Sequence, residues 1–231
     1  MNRDQQDGGV GVTRQEIEAL LEQATDEQRQ GILTLLRTRY RLPIHPLESN
    51  WGTTAEAILQ AIHEAPDLTQ RGVRGVLAEA IFRTEVVPQQ LPEWTNLPTR
   101  NDEAFDLLLE RAGVQARVQV KNQRKAKGFP EKWKKQDDVF VVETQRTRNG
   151  KRSNGEDSRP YRFGEFDVLA VCLQPSSGSW TDFIFCAQRR LLSRPKNRSL
   201  LAVKQPVYIG GENGWTWSFE QAVDEAFAEQ A

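Results

Sequence analysis

The chain has 231 residues, 38% of them hydrophobic and 27% charged, and a formal net charge of -1. That length suits one large domain or two small ones with ample apolar material for a core. Two cysteines cannot make a disulfide scaffold, no apolar run reaches the length of a membrane span, and the first residues lack the apolar core of a signal peptide, so a cytoplasmic protein with no membrane partner is expected.

The polar, Gly-rich start gives way at Thr13-Arg-Gln-Glu16, a capping-box pattern that opens a helical stretch carrying Ile17, Leu20, Leu21, Ala24, Ile32, Leu35 and Leu36. Pro43 and Pro46 end it. Thr53 or Thr54 caps a second helix with Ala57, Ile58, Ala61 and Ile62 on one side. Asp67 to Thr69 opens a third, placing Val73, Val76, Leu77, Ala80 and Ile81 on one face, and the three prolines of residues 86–100 read as a loop. From Phe105 the apolar period shortens from about 3.6 to 2, the signature of strands. Further strands are expected at Val139–Thr144, Phe166–Leu173 and Thr181–Ala187, the last two forming a hairpin through Pro175-Ser-Ser-Gly-Ser179. A short helix is expected over Phe129–Gln136, a strand at Pro206–Ile209, and a last helix capped by Ser218. The fold class is therefore α/β, with residues 1–66 as an N-terminal helical region and 67–231 carrying the sheet in what reads as one compact unit.

The stretch 105–122 is the most informative. With Ala112-Gly113 as a two-residue hairpin turn, Arg111 faces Val114 and Asp106 falls opposite Gln119. Directly opposed Cβ atoms lie about 5 Å apart and diagonal ones about 7–8 Å, so Asp106, Gln119 and Lys121 share one face while Leu107, Leu109, Val118 and Val120 supply the apolar one. A carboxylate, an amide oxygen and the Val120 carbonyl are hard donors of the kind that suit Mg²⁺, and an ammonium beside them can orient an attacking water and stabilise charge developing on a phosphoryl group.

Charge placement points the same way. Residues 111–162 hold 15 Lys+Arg against 6 Asp+Glu, a local +9, while the rest of the chain sums to -10. Within that block Asn122, Arg124, Lys125, Lys127, Lys132, Lys134 and Lys135 follow the hairpin directly, and Arg146, Arg148, Lys151 and Lys-adjacent Arg152 form a second basic run. Such a footprint fits contact with nucleic-acid phosphates. Cys172 and Cys186, inside apolar strands, read as buried thiols, and two histidines are too few for a zinc or HNH-type site.

Asp106, twelve intervening residues and then Gln119-Val120-Lys121 resembles the PD-(D/E)xK nuclease superfamily, in a Gln-x-Lys variant with Phe105 at the place of the proline. The resemblance covers roughly residues 69–190. It implies a restriction-endonuclease-like central mixed β-sheet flanked by helices, here with an N-terminal helical extension. It also implies that Glu79, on the preceding helix, joins Asp106, Gln119 and the Val120 carbonyl around Mg²⁺, or Mn²⁺ as a substitute, with Lys121 catalytic. The function so implied is an endonuclease on double-stranded DNA, most like a small type II restriction enzyme or defence nuclease, acting as a homodimer and paired with a cognate DNA methyltransferase. A repair, recombination or RNA nuclease on the same fold, or a DNA-binding module without catalysis, are the alternatives.

Overall fold

The computed structural model describes residues 12–43, 45–100, 103–145 and 160–228. Its internal contacts divide the chain into a unit spanning Met1–Ala65 and a unit spanning Pro66–Ala231.

The first unit holds four helices: α1 (Arg14–Gln23), α2 (Asp26–Tyr40), α3 (Pro46–Trp51) and α4 (Ala55–Glu64). The Thr13 capping box forms as expected, but the helical stretch it opens does not run on. Thr25 and Gln28 make a second capping box, and these caps satisfy the free N–H groups of a new helix start, so the chain breaks at Ala24. Helix α3, which the sequence pattern did not show, is short and starts at Pro46 with His45 as its cap. Thr54 is the cap of α4.

In the second unit α5 (Asp67–Ile81) runs without interruption into a π-helical turn over Phe82–Val86 and then α6 (Val87–Gln90). The expected loop at 86–100 is therefore helical in its first part. Pro88 follows directly on the π-helical turn, in which the Val87 N–H reaches back to the Phe82 carbonyl. The apolar face expected for α5 is only partly the one observed: Val76 and Leu77 are exposed, Ile81 packs against the core as expected, and Ala78, Phe82, Val86 and Val87 are buried in it.

Strands β1 (Thr95–Leu97), β2 (Leu107–Arg111), β3 (Val114–Asn122), β4 (Lys125–Ala126), β5 (Phe129–Pro130), β6 (Val139–Glu143), β7 (Val168–Cys172), β8 (Phe183–Ala187), β9 (Ser193–Arg194), β10 (Asn197–Leu201), β11 (Lys204–Tyr208) and β12 (Trp215–Thr216) follow, with α7 (Gln174–Ser177) between β7 and β8 and α8 (Phe219–Phe227) last. The central sheet has the order β1-β2-β3-β7-β8-β12 and is mixed, with β3 and β7 parallel and the other neighbours antiparallel. A mixed sheet flanked by helices is the architecture expected from the sequence. The Phe129–Gln136 segment departs from it: Phe129–Pro130 pairs with β4, and only Trp133–Lys135 forms a 3₁₀ turn. The spacing of Phe129 and Trp133 imitates a helical period, but Pro130 and the left-handed backbone at Lys134 and Lys135 prevent one.

Two cores cover the two faces of the sheet. Leu107, Leu109, Ala116, Val118, Val120, Val168, Ala170, Phe183 and Phe185 pack under α5 and α8, with Phe82 against Phe183 at 4.9 Å between ring centroids. Leu169, Val171, Ile184 and Cys186 point the other way, against Phe140, Val142, Phe166 and Val207. Buried on both sides, β7 and β8 are apolar throughout, as central strands are. Cys172 and Cys186 lie in opposite cores, and burial pushes their thiols up to about 11 and about 12, so neither is a ready nucleophile.

The β2–β3 hairpin has the expected register, Arg111 opposite Val114 through Leu107 opposite Val118. Its turn holds both Ala112 (φ 50°) and Gly113 (φ 84°) at positive φ, as a type I′ turn requires. Alanine is the strained member. Ala112→Asn should stabilise the unit by about 0.5–1 kcal/mol, read as a higher urea midpoint at unchanged m-value.

Candidate active site

The regular ladder of the hairpin stops at Leu107, and Asp106 bends out of it. Its N–H donates to the Val118 carbonyl at 2.9 Å. That bend shifts the alternation by one: Leu107 and Leu109 face the first core, while Phe105 packs against the second. Asp106 still meets Gln119. Its Oδ2 accepts from the Val120 N–H at 2.8 Å and from Gln119 Nε2, and its Oδ1 takes no partner among the described residues.

Gln119 is 1% exposed, and its side chain is fixed by what the amide nitrogen donates to, Asp106 and, at 3.4 Å, the Val120 carbonyl. Its Oε1 is buried with no hydrogen-bond partner among the described residues. A buried acceptor left unsatisfied costs about 1–3 kcal/mol, and a bound cation would satisfy it. Among the described residues no group of three His, Cys, Asp or Glu converges. The donors at hand are one carboxylate and one amide oxygen, a set that fits a hard cation of the Mg²⁺ type better than zinc.

Lys121, two residues along on the same face of β3, is partly buried and has no carboxylate within ion-pair distance among the described residues. Its Nζ lies 5.7 Å from the centre of the Tyr161 ring. Tyr161 comes from the segment 160–167, which leads into β7. The loop is tied down at its end: Asp167 accepts from the Arg117 backbone N–H (2.8 Å), Nε (3.0 Å) and Nη2 (2.7 Å), and Arg117 Nη1 donates to the Gly164 carbonyl (2.8 Å). Arg117 and Tyr161 were missed because their roles depend on partners about fifty and forty residues away. Gln123, equally missed, did carry a signal, since it continues the alternation of Gln119 and Lys121; it is 2% exposed, and neither polar atom of its side chain has a partner among the described residues.

Glu79 sits on α5 in an ion pair with Arg83 at 2.5 Å. Burial, and next the charge of Asp106, raise its carboxyl above the ordinary 4.5, while Arg83 and Lys121 pull it down. Glu79, Asp106 and Lys121 thus share one electrostatic neighbourhood. The sign of the linkage is defined: a carboxyl raised on folding costs the folded state nothing below its ordinary value and most above its raised one, so this contribution to stability falls as pH rises through that window. In metal-free buffer, Glu79→Gln should gain melting temperature over the parent from about pH 4 to about pH 8. An equal difference at both ends would mean that the Glu79 carboxyl is unperturbed.

The basic residues after Lys121 divide into two groups. Arg124 is gripped by Glu131 and Glu143, and Lys132 by Asp137. Lys125, Lys127, Lys134 and Lys135 form no ion pair among the described residues, although Lys134 lies 5.6 Å from the Trp133 ring. Asn122 ends β3 with its Oδ1 buried and unpaired. Arg146, Arg148, Lys151 and Arg152 lie outside the described residues. Arg71 and Arg74 both pair with Asp67.

No family model matches the chain, and no curated protein does. Among solved structures it is similar to a bacterial homing endonuclease, with a TM-score of 0.34 and 22% identity over 51% of this chain and 68% of that one. No helix among the described residues is long and apolar enough to cross a membrane.

Proposed function

We propose that this chain is a Mg²⁺-dependent endonuclease of the PD-(D/E)xK type that hydrolyses phosphodiester bonds in double-stranded DNA, in a restriction or related defence system. The observation that carries the reading is the hydrogen bond from Gln119 Nε2 to Asp106, which leaves the buried Gln119 Oε1 without a partner among the described residues, with Lys121 two residues along the same strand. Asp106 Oδ1 and Gln119 Oε1 would hold the cation, with the Val120 carbonyl and Glu79 as further oxygen donors. When bound, the cation supplies Lewis-acid polarisation of a phosphate oxygen and lowers the pKa of a water.

The chain's own groups do the remainder. The Val120 N–H and the Gln119 amide fix the Asp106 carboxylate through Oδ2 and leave Oδ1 forward. Lys121, without an ion-pair partner among the described residues and beside Tyr161, orients the attacking water and stabilises charge on the phosphoryl oxygens. Attack forms the new P–O bond as the bond to the 3′ oxygen breaks; the attacking water gives up a proton to solvent and the leaving 3′ oxygen takes one from solvent, giving 5′-phosphate and 3′-hydroxyl ends. One such site cuts one strand, so duplex cleavage calls for two copies, a homodimer, and self-protection calls for a cognate methyltransferase.

Purified protein incubated with supercoiled plasmid in Mg²⁺, in Mn²⁺ and in EDTA tests the reading. Linear or nicked product with either metal and none in EDTA is expected. Full-strength cutting in EDTA, or none with either metal across plasmid, genomic and branched DNA, would overturn it.

A further inference from the structure

The strand that carries Gln119 and Lys121 leads within a few residues into a second hairpin, β4–β5, and the contents of its tip are unusual for a loop. Lys125 pairs with Pro130 and Ala126 with Phe129 around a two-residue turn, Lys127-Gly128, with both φ values positive (52° and 84°). Phe129 is 75% exposed, more than any other large hydrophobic residue among those described. Lys125 and Lys127 flank it with no ion-pair partner among the described residues.

The root of this hairpin is held firmly. The Arg124 N–H donates to the Val141 carbonyl (2.8 Å), the Glu131 N–H to the Arg124 carbonyl (2.9 Å) and the Val141 N–H to the Glu131 carbonyl (2.9 Å). Glu131 also binds Arg124 and Lys204, the latter at 2.6 Å. A tip rigidly mounted, cationic and aromatic, is complementary to a surface that is anionic and also offers apolar faces. Duplex DNA does both: phosphates line the groove, and base steps lie inside it. A two-stranded ribbon fits the major groove.

We infer that the β4–β5 hairpin enters a groove of the DNA duplex, with Lys125 and Lys127 on the phosphates and Phe129 pressed against a base step. This rests on the nuclease reading for its partner but not for its test. The hairpin adds apolar base contact to what phosphates alone supply, and mounts it on the strand that carries the proposed chemistry.

The experiment measures binding of the full chain without metal, so that cleavage plays no part. Fluorescence anisotropy is followed across a salt series with a random-sequence duplex and with heparin, a polyanion that has no bases. Phe129→Ala should weaken duplex binding about tenfold at an unchanged salt slope and leave heparin binding as it is, with Phe129→Leu intermediate. Lys125→Ala and Lys127→Ala should weaken binding to both, each lowering the duplex salt slope by about one. The exposure of Phe129 predicts a parental melting temperature for its variants, which controls for folding. Unchanged duplex binding in Phe129→Ala overturns the inference and leaves the nuclease reading standing. So does loss of binding to anionic vesicles with duplex binding intact, which would assign the tip to a lipid surface. Plasmid, genomic and branched DNA that all stay uncut by the parent with either metal, while Phe129→Ala still loses duplex affinity, overturn the nuclease reading and keep the hairpin.

Discussion

Replacing Lys121 with alanine is expected to lower Mg²⁺-dependent cleavage by about 10²- to 10³-fold while duplex binding stays within a few-fold, because a single charged donor aimed at developing phosphoryl charge is worth about that much. The prediction is specific to this lysine. Lys125, Lys127, Lys134 and Lys135 form no ion pair among the described residues, but they lie beyond the end of β3, on the hairpin and turn that follow it. Lys121 is partly buried beside Tyr161 and close enough to Glu79 to lower that carboxyl. Removing one of the outer lysines should therefore alter the salt dependence of binding and leave the rate at saturation near the parental value. Single-turnover rates at saturating protein, measured beside anisotropy, separate the two effects. Near-parental cleavage by Lys121→Ala would place the chemistry elsewhere in the molecule.

That site was legible in the sequence to the extent that it is local. A two-residue turn of Ala112-Gly113 fixes the register of every pair in the hairpin, because strand side chains alternate strictly, and the structure has that register. The position of Gln119 opposite Asp106 follows from arithmetic. The bend at Asp106 does not: it depends on the aspartate carboxylate capturing the Val120 N–H, a contact that pulls the residue out of the ladder and sends Phe105 into the other core. Helix ends show the same division. Thr54 and Ser218 act as the expected caps, whereas Thr25 was passed over because the apolar pattern of α1 and α2 continues across it. Residues 86–90 differ from the expected loop because the π-helical turn carries the helix on to Pro88, and proline content alone does not reveal such a turn. What no local pattern could supply is the support behind Lys121, since Tyr161 lies forty residues away and its loop is tied down by Arg117 through Asp167 and Gly164.

That support yields the largest expected effect on stability. Arg117→Ala should cost the Pro66–Ala231 unit about 2–4 kcal/mol, seen as a drop of roughly 5–12 °C in melting temperature. The side chain of Asp167 is only 12% exposed, and three of its hydrogen bonds come from this one residue. In the variant the backbone N–H still serves Oδ2, but Oδ1 is left charged and unpaired, and the Gly164 carbonyl loses its donor. The pair also sits where the parallel strands begin. The Asp167 N–H donates to the Arg117 carbonyl at 2.8 Å, and the Gln188 N–H to the Asp167 carbonyl at 2.8 Å, so β3, β7 and the end of β8 are gathered at one point. Arg117→Lys should recover little, because an ammonium cannot reproduce a two-pronged grip on the carboxylate together with the bond to Gly164. Arg117→Ala combined with Asp167→Ala should be milder than Arg117→Ala alone, since the stranded charge is then gone. Cleavage should fall in the single variant even well below its melting temperature, as the Pro160–Asp167 loop loosens and Tyr161 no longer braces Lys121. A melting temperature unchanged within about 1 °C would mean that Asp167 is held by something other than Arg117, and a double variant worse than the single one would mean that the pair itself, rather than the uncompensated carboxylate, carries the energy.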